Sequence, residues 1–156
     1  MIAGVPVGKH LTENRAYREE TAAPEETGSI IVVVATDAPL LPHQLDRIAR
    51  RAGLGVARVG GMAGNGSGDI FIAFSTANAS AGQAGPNMQV TMLANENVSP
   101  LFDATVLATE EAIVNAMVAA EDMTGDRGHR AVAIDHDALR RVLREYHRLA
   151  SDPDAS

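Results

Sequence analysis

One run of apolar residues constrains the fold of this chain more than any other feature. Residues 30–35 are Ile, Val and Ala without interruption, with Ser29 before them and Thr36 after them. An apolar run without polar alternation is typical of a strand that is buried on both faces. We therefore predict a central, doubly buried strand over residues 29–36, ended by the Asp37-Ala38-Pro39 turn.

Several weaker patterns indicate further helices and strands. Apolar residues at helical spacing follow Pro42, and Gly53 is a plausible end for that helix. A second strand is predicted at residues 70–74, and the alternation of residues 88–92 favours a short half-buried strand. Together with the first strand, these elements indicate an α+β sandwich in which helices pack on sheets.

The C-terminal half of the chain favours helices. Ser99-Pro100 is a good helix start, and an apolar stripe continues from it to Ala120. Residues 131–134 predict a brief strand, and Asp137 is the expected cap of a final amphipathic helix. Residues 12–28 lack apolar periodicity and predict an exposed loop, while the polar tail from Ser151 is expected to fray.

Composition excludes several classes of protein. A length of 156 residues is typical of one domain, and the absence of cysteine removes disulfides and thiol chemistry. A net charge of -7 argues against a nucleic-acid partner. Because no apolar run is long enough for a membrane span and no signal peptide is visible, we expect a soluble, cytoplasmic protein.

Ser29 is the first candidate for chemistry. If the Gly28–Ser29 bond is cut, Ser29 gains an α-amine with a pKa of about 7.7–8.0, which can act as the base for its own hydroxyl. A loop that ends in Gly28, followed at once by serine and a buried strand, is the arrangement that such a cut requires. From local sequence alone, a serine that merely begins a strand remains the more common case.

Ser67 and Asp69 form a second candidate pair. In extended backbone two residues this far apart point to one face, so a hydroxyl would lie beside a carboxylate that can orient a proton. The flanking glycines allow another backbone to approach. A turn whose Ser and Asp only satisfy backbone groups is the alternative.

The remaining polar clusters predict little chemistry. The five histidines form no metal-binding spacing, and Asp135-His136-Asp137 is better explained as a helix start than as a metal site. Asn95, Glu96 and Asn97 could line a pocket, although turn formation is the simpler interpretation.

Three separated blocks resemble one known family. GSIIVVVATDAPL at residues 28–40, NGSGDIFIAFST at 65–76, and PLFDATV with ATEEAIVNA at 100–116 are similar to the L-aminopeptidase/D-amidase/D-esterase family, which includes the β-peptidyl aminopeptidases. Residues 2–8 also look like the family's segment before its cleavage junction. The blocks occur in the family's order and cover most of residues 29–120.

The resemblance implies a fold and a set of roles. It implies an αββα layered sandwich of the type shared with ornithine acetyltransferase, resembling the N-terminal-nucleophile hydrolases, of which this chain is the C-terminal half. Residues 1–28 would be the end of an α portion with its cleavable loop, and residues 29–156 the β chain. Ser29 would be the nucleophile for self-cleavage after Gly28 and for an acyl-enzyme, Ser67 the second active-site serine, and Asp69 the active-site acid. Some members have glutamate there, and the shorter Asp69 reaches less far.

The same resemblance implies partners and leaves alternatives open. The partners would be the α portion of the precursor, a homo-oligomer of αβ pairs, and a small peptide, amide or ester substrate, with neither metal nor organic cofactor. Because the family's α portion is far longer than 28 residues and supplies oxyanion-hole donors, this chain would be incomplete alone, and a signal in that portion would allow a periplasmic location. An ornithine-acetyltransferase-like acyltransferase is one alternative, against which Ser29 counts because that relative uses threonine. A fragment without activity is the other.

Overall fold

The computed structural model describes residues 1–12, 28–83, 85–128 and 130–150. Close contacts divide the chain into two compact units, Pro24–Glu111 and Met1–Ala23 with Ala112–Ser156. The α-helices of the described ranges are α1 (Pro42–Val59), α2 (Ser99–Ala119) and α3 (His136–Glu145), and the strands are β1 (Ile31–Thr36), β2 (Ile70–Ser75), β3 (Met123–Thr124) and β4 (Arg130–Ala131). This mixture agrees with the predicted α+β class. Most of the predicted 12–28 loop, and the tail from residue 151, lie outside the described residues.

Strands β1 and β2 form a parallel pair in which Ile31 is opposite Ile70 and Thr36 is opposite Ser75. Helix α1 connects them and packs on one face of the pair, as a parallel connection requires. The strand at residues 70–74 is thus confirmed, with one further residue. The first strand begins two residues later than predicted, and Ser29 precedes it.

The two faces of the β1–β2 sheet differ, which corrects the prediction of a doubly buried strand. The face toward α1 is half-buried, whereas on the outer face Ile31 is 67% exposed, Val33 58% and Ile72 49%. No element of the Pro24–Glu111 unit, among its described residues, covers this apolar outer face. Strand β1, apolar except for Thr36, therefore has the composition of a central strand but only one packed face among the described residues of its unit.

Helix α1 continues past the predicted end at Gly53 and ends at Gly60, whose φ of 110° is the left-handed conformation that suits glycine at a helix end. Tertiary packing outweighs the cost of about 1 kcal/mol that an internal glycine adds. At Gly55 a Cβ would lie 2.5 Å from Thr109 Cβ, so only glycine permits this approach of α2. The start of α2 at Ser99 is confirmed. Its buried residues are Thr105, which belongs to the predicted stripe, and Thr109, which does not.

The predicted strand at residues 88–92 is wrong. The segment has no regular secondary structure and pairs with no strand among the described residues, and Met88, Val90 and Met92 are about half exposed. The Asn78 side chain forms the two hydrogen bonds that a neighbouring strand would otherwise offer the Thr91 backbone: it donates to Thr91 O (3.0 Å) and accepts from Thr91 N (2.9 Å).

The other unit is built around α3. Its core contains Ile2, Val5 and Val7 from the start of the chain against Leu139, Val142 and Leu143. Asp135, not the predicted Asp137, caps α3 by accepting from Ala138 N at 2.9 Å. The brief strand predicted at residues 131–134 is limited to β4, which pairs antiparallel with β3. None of the helices in the described ranges is long and apolar enough to cross a membrane.

Candidate active site

The candidate site lies where β1 and β2 begin. Because the strands are parallel and in register, their first residues are neighbours, and Ile70 N–H donates to Ile30 O at 2.9 Å. This pairing brings Ser29, which directly precedes Ile30, next to the loop that leads from α1 into β2. Gly28 and Ser29 are both exposed.

Two hydrogen bonds connect the segment before β1 to the loop before β2. Gly68 N–H donates to Ser29 Oγ at 2.9 Å. Ile30 N–H donates to Asp69 Oδ1 at 3.0 Å. Both distances are normal for N–H···O bonds. The structure therefore brings two of the predicted site residues, Ser29 and Asp69, to the same end of the sheet.

The direction of the first bond matters for chemistry. Ser29 Oγ accepts from Gly68 N–H, and among the described residues its own hydroxyl donates to no acceptor. The hydroxyl proton is therefore available to a base, as nucleophilic attack by a serine requires.

Ser67 and Asp69 share a second feature, an open cavity of about 250 Å³ beside the sheet. Both residues are half-buried, as expected for side chains that point to one face. Ser67 N–H closes a turn on Gly64 O at 2.9 Å. Within the described part of the chain, the Ser67 hydroxyl makes no hydrogen bond, and none links it to Ser29. The cavity wall consists of Gly53, Val56, Gly61, Ala63, Gly64, Ser67, Asp69 and Phe71.

Sequence reasoning missed the Gly68 N–H donor. Its only signal was the pair of glycines around Ser67, which predicted a close approach by another backbone. The approach is instead that of a side chain, since a Cβ on Gly68 would lie 3.4 Å from Ser29 Oγ.

The other polar candidates have structural roles. Asn95 Oδ1 accepts from the fully buried Gln44 side chain at 2.9 Å, which fixes the turn before α2. His136 lies at the start of α3, with Nε2 2.9 Å from Val118 O. In the described ranges no three His, Cys, Asp or Glu side chains gather in a group that could hold a metal ion.

The comparisons with known proteins agree with the resemblance. Residues 1–131 match the family described as peptidase family S58. The β-peptidyl aminopeptidase BapA of Sphingosinicella microcystinivorans is 47% identical over 161 aligned positions, which cover 96% of this chain and 40% of that protein. This chain thus spans about 40% of the length of the curated relatives it matches.

Solved structures give the same result. The L-aminopeptidase D-Ala-esterase/amidase of Ochrobactrum anthropi, described as a variant of the Ntn hydrolase fold, superposes with a TM-score of 0.79 at 50% identity. The match covers 96% of this chain and 40% of that one. A Burkholderia sp. β-aminopeptidase superposes with a TM-score of 0.73 at 45% identity, over 91% of this chain and 39% of that one. The predicted fold type is thereby confirmed, and this chain belongs to peptidase family S58.

Proposed function

We propose that this chain forms the β-chain part of a self-processing serine aminopeptidase. The precursor cuts itself between Gly28 and Ser29, and Ser29 then releases amino-terminal residues from small peptides, amides or esters through an acyl-enzyme. The observation that carries the proposal is the position of the Ser29 hydroxyl: exposed, anchored by Gly68 N–H, and with its own proton unengaged among the described residues.

Each residue has a role that its surroundings support. Ser29 Oγ attacks the acyl carbon, and the α-amine created by the cut takes up the hydroxyl proton. Asp69 accepts Ile30 N–H and carries a negative charge next to the residue whose amine becomes positive. Ser67 lines the cavity with Asp69, where it can contact the substrate or relay a proton.

The proposal includes the α portion as a partner, and the outer face of the β1–β2 sheet is its docking surface. Five large apolar side chains of this face are 45% or more exposed. Single exposed apolar residues are common on protein surfaces, whereas a group of five on one face indicates an interaction site. A second sheet packed about 10 Å away would bury them, as in any two-sheet sandwich. The five are Ile31, Val33, Ile70, Ile72 and Phe74.

Co-expression tests both parts. The chain is produced with the N-terminal portion of the S. microcystinivorans relative and assayed for amine release from short peptide amides. We expect hydrolysis without an added acyl acceptor, and none from Ser29→Ala. Activity that required an acceptor would favour the acyltransferase, and equal activity of Ser29→Ala would exclude Ser29 as nucleophile.

The docking surface has its own control. Ile72→Asp places a charge on the outer face and should prevent co-purification of the two portions. Leu54→Asp makes the same change at an exposed position of α1, 57% exposed, and should leave co-purification intact. Equal loss in both variants would contradict the assignment of the docking surface.

A further inference from the structure

The loop before β2 presents one main-chain donor to the candidate nucleophile. We infer that the N–H of Gly68 holds Ser29 Oγ in position and stabilises the negative charge that this oxygen carries while its bonds are made and broken. The inference rests on the proposed function, and it adds a specific backbone group to the Ser29, Ser67 and Asp69 set.

The bond geometry fits this role. The Gly68 N to Ser29 Oγ distance is 2.9 Å, and the N–H is the donor. A donor of this kind leaves the hydroxyl proton for the base, and it binds an oxygen more tightly as negative charge grows on it. Donors that are in place before reaction stabilise such charge without reorganisation.

The donor is fixed from both sides. Ser67, directly before it, closes a turn on Gly64 O (2.9 Å), and Asp69, directly after it, accepts Ile30 N–H (3.0 Å). The ladder bond from Ile70 N to Ile30 O (2.9 Å) then ties the loop to β1. The N–H therefore keeps its direction toward Oγ independently of any substrate.

The same oxygen gains and loses charge in every step of the reaction. In self-cleavage Oγ bonds to the Gly28 carbonyl carbon, the carbon–nitrogen bond to Ser29 breaks, and the hydroxyl proton passes to the Ser29 nitrogen. The products are an ester and an α-amine. Water then adds to the ester, the carbon–Oγ bond breaks, and Oγ recovers a proton from the water while Gly28 becomes a carboxylic acid. In substrate turnover Oγ bonds to the substrate's acyl carbon, the bond from that carbon to the leaving amine breaks, and the hydroxyl proton passes through the Ser29 α-amine to the leaving amine. Water then hydrolyses the acyl ester in the same way and returns a proton to Oγ.

Glycine at position 68 also keeps the space around Oγ open. A Cβ there would lie 3.4 Å from Ser29 Oγ, at the limit of ordinary van der Waals contact. Gly68→Ala therefore keeps the donor and adds a methyl group beside the nucleophile. Comparison of this variant with one that lacks the N–H therefore distinguishes the effect of the hydrogen bond from the effect of crowding at Oγ.

The decisive experiment replaces one atom group. Semisynthesis of the full chain with glycolic acid at position 68 turns that amide into an ester, so that an oxygen without a proton replaces the N–H and no side chain changes. Paired with the relative's N-terminal portion, this protein should process itself and turn over peptide amides roughly 10- to 100-fold more slowly, the loss expected for one hydrogen bond to a charged group. KM should stay within about twofold, because the bond acts on the nucleophile and not on the substrate.

Two controls accompany the ester. Glycolic acid at position 66 removes an N–H of the same loop that is not bonded to Ser29, and both rates should match the wild type. The fall in kcat relative to the wild type should be smaller for Gly68→Ala than for the ester at position 68. If the ester at position 68 instead kept both wild-type rates while the wild type was active, the inference would be overturned and the proposed function would stand.

A measurement on the chain alone keeps the two hypotheses apart. Amide hydrogen exchange at Gly68, followed by NMR, should be faster in Ser29→Ala than in the wild type, since the bond to Oγ is lost. Unchanged exchange would overturn the inference whatever the activity. Faster exchange together with a wild-type protein that neither cuts nor hydrolyses would overturn both the catalytic role of Gly68 and the proposed function, and would leave only a structural contact.

Discussion

The two ends of the β1–β2 sheet use serine hydroxyls in opposite ways. At the end where the strands finish, half-buried Ser75 donates its hydroxyl proton to Ala38 O at 2.6 Å and accepts from Ala77 N at 3.2 Å. At the end where they begin, exposed Ser29 accepts from Gly68 N–H. Within the described part of the chain, the Ser75 hydroxyl is engaged as donor and acceptor, and the Ser29 hydroxyl only as acceptor.

The surroundings of the two ends differ in the same sense. Next to Ser75, the Thr36 side chain accepts from Ala38 N, and fully buried Gln44 bonds to Leu41 N, Leu93 O and Asn95 Oδ1. Satisfied, buried groups of this kind stabilise a fold. The beginning of the strands has one anchored serine and an adjacent open cavity, which is the arrangement expected of a reactive site.

Ser29→Ala should have the largest effect. Loss of the nucleophile is expected to lower processing and turnover by on the order of 10⁴–10⁶. Because Ser29 is exposed, the melting temperature of the variant should stay close to that of the wild type. Rates measured beside Ser75→Ala, which keeps Ser29, provide the matched control. Equal rate losses in the two variants would remove the distinction between the two ends.

Gln44→Ala should have the largest effect on stability. It removes three hydrogen bonds, to Leu41 N, Leu93 O and Asn95 Oδ1, and opens a cavity, so we expect a loss of about 2–4 kcal/mol in the free energy of unfolding. Urea denaturation measures it. Processing by the folded fraction should stay at the wild-type rate, and a specific loss of processing without destabilisation would contradict the assignment.

Asp69→Asn should slow processing roughly 10- to 100-fold while stability changes by less than about 1 kcal/mol. Asparagine keeps an oxygen for Ile30 N–H but removes the carboxylate charge next to the Ser29 nitrogen, which gains a proton while the Gly28–Ser29 bond is cut. Asp37→Asn removes an exposed carboxylate at the other end of β1 and is the control. A large fall in melting temperature with normal processing would show that Asp69 is structural.

Ser75→Ala should have the smallest effect. Loss of its bonds to Ala38 and Ala77 is expected to cost about 1 kcal/mol, with no change in processing. Thermal unfolding of the folded chain measures the cost. A processing defect in this variant would mean that the end of the sheet containing Ser75 also participates in the chemistry.

Sequence patterns predicted the elements that local rules determine. The apolar run at β1, the capping start of α2 and the amphipathic face of α3 each specify an element without help from distant residues. Gly53 and residues 88–92 were misread for the opposite reason. The packing of α1 on β2 carries the helix through Gly53, and the strand pattern at residues 88–92 lacks a neighbouring strand in the described chain.

The candidate site shows the same division. Ser29, Ser67 and Asp69 could be named from their motifs, and parallel register then explains why Ser29 and Asp69 meet. The Gly68 donor could not be named, since the glycines around Ser67 predict a close approach but not which backbone N–H donates or to which atom. Its direction depends on the turn at Gly64 and on the pairing of Ile70 with Ile30.

Self-cleavage before Ser29 can be read from the intact mass of the chain after co-expression with the N-terminal portion of a relative. We expect cleavage between Gly28 and Ser29, so that the wild type loses the mass of residues 1–28 and Ser29→Ala does not. An uncut wild-type chain, or a cut at any other bond, would contradict the assignment of Ser29 as the self-generated nucleophile.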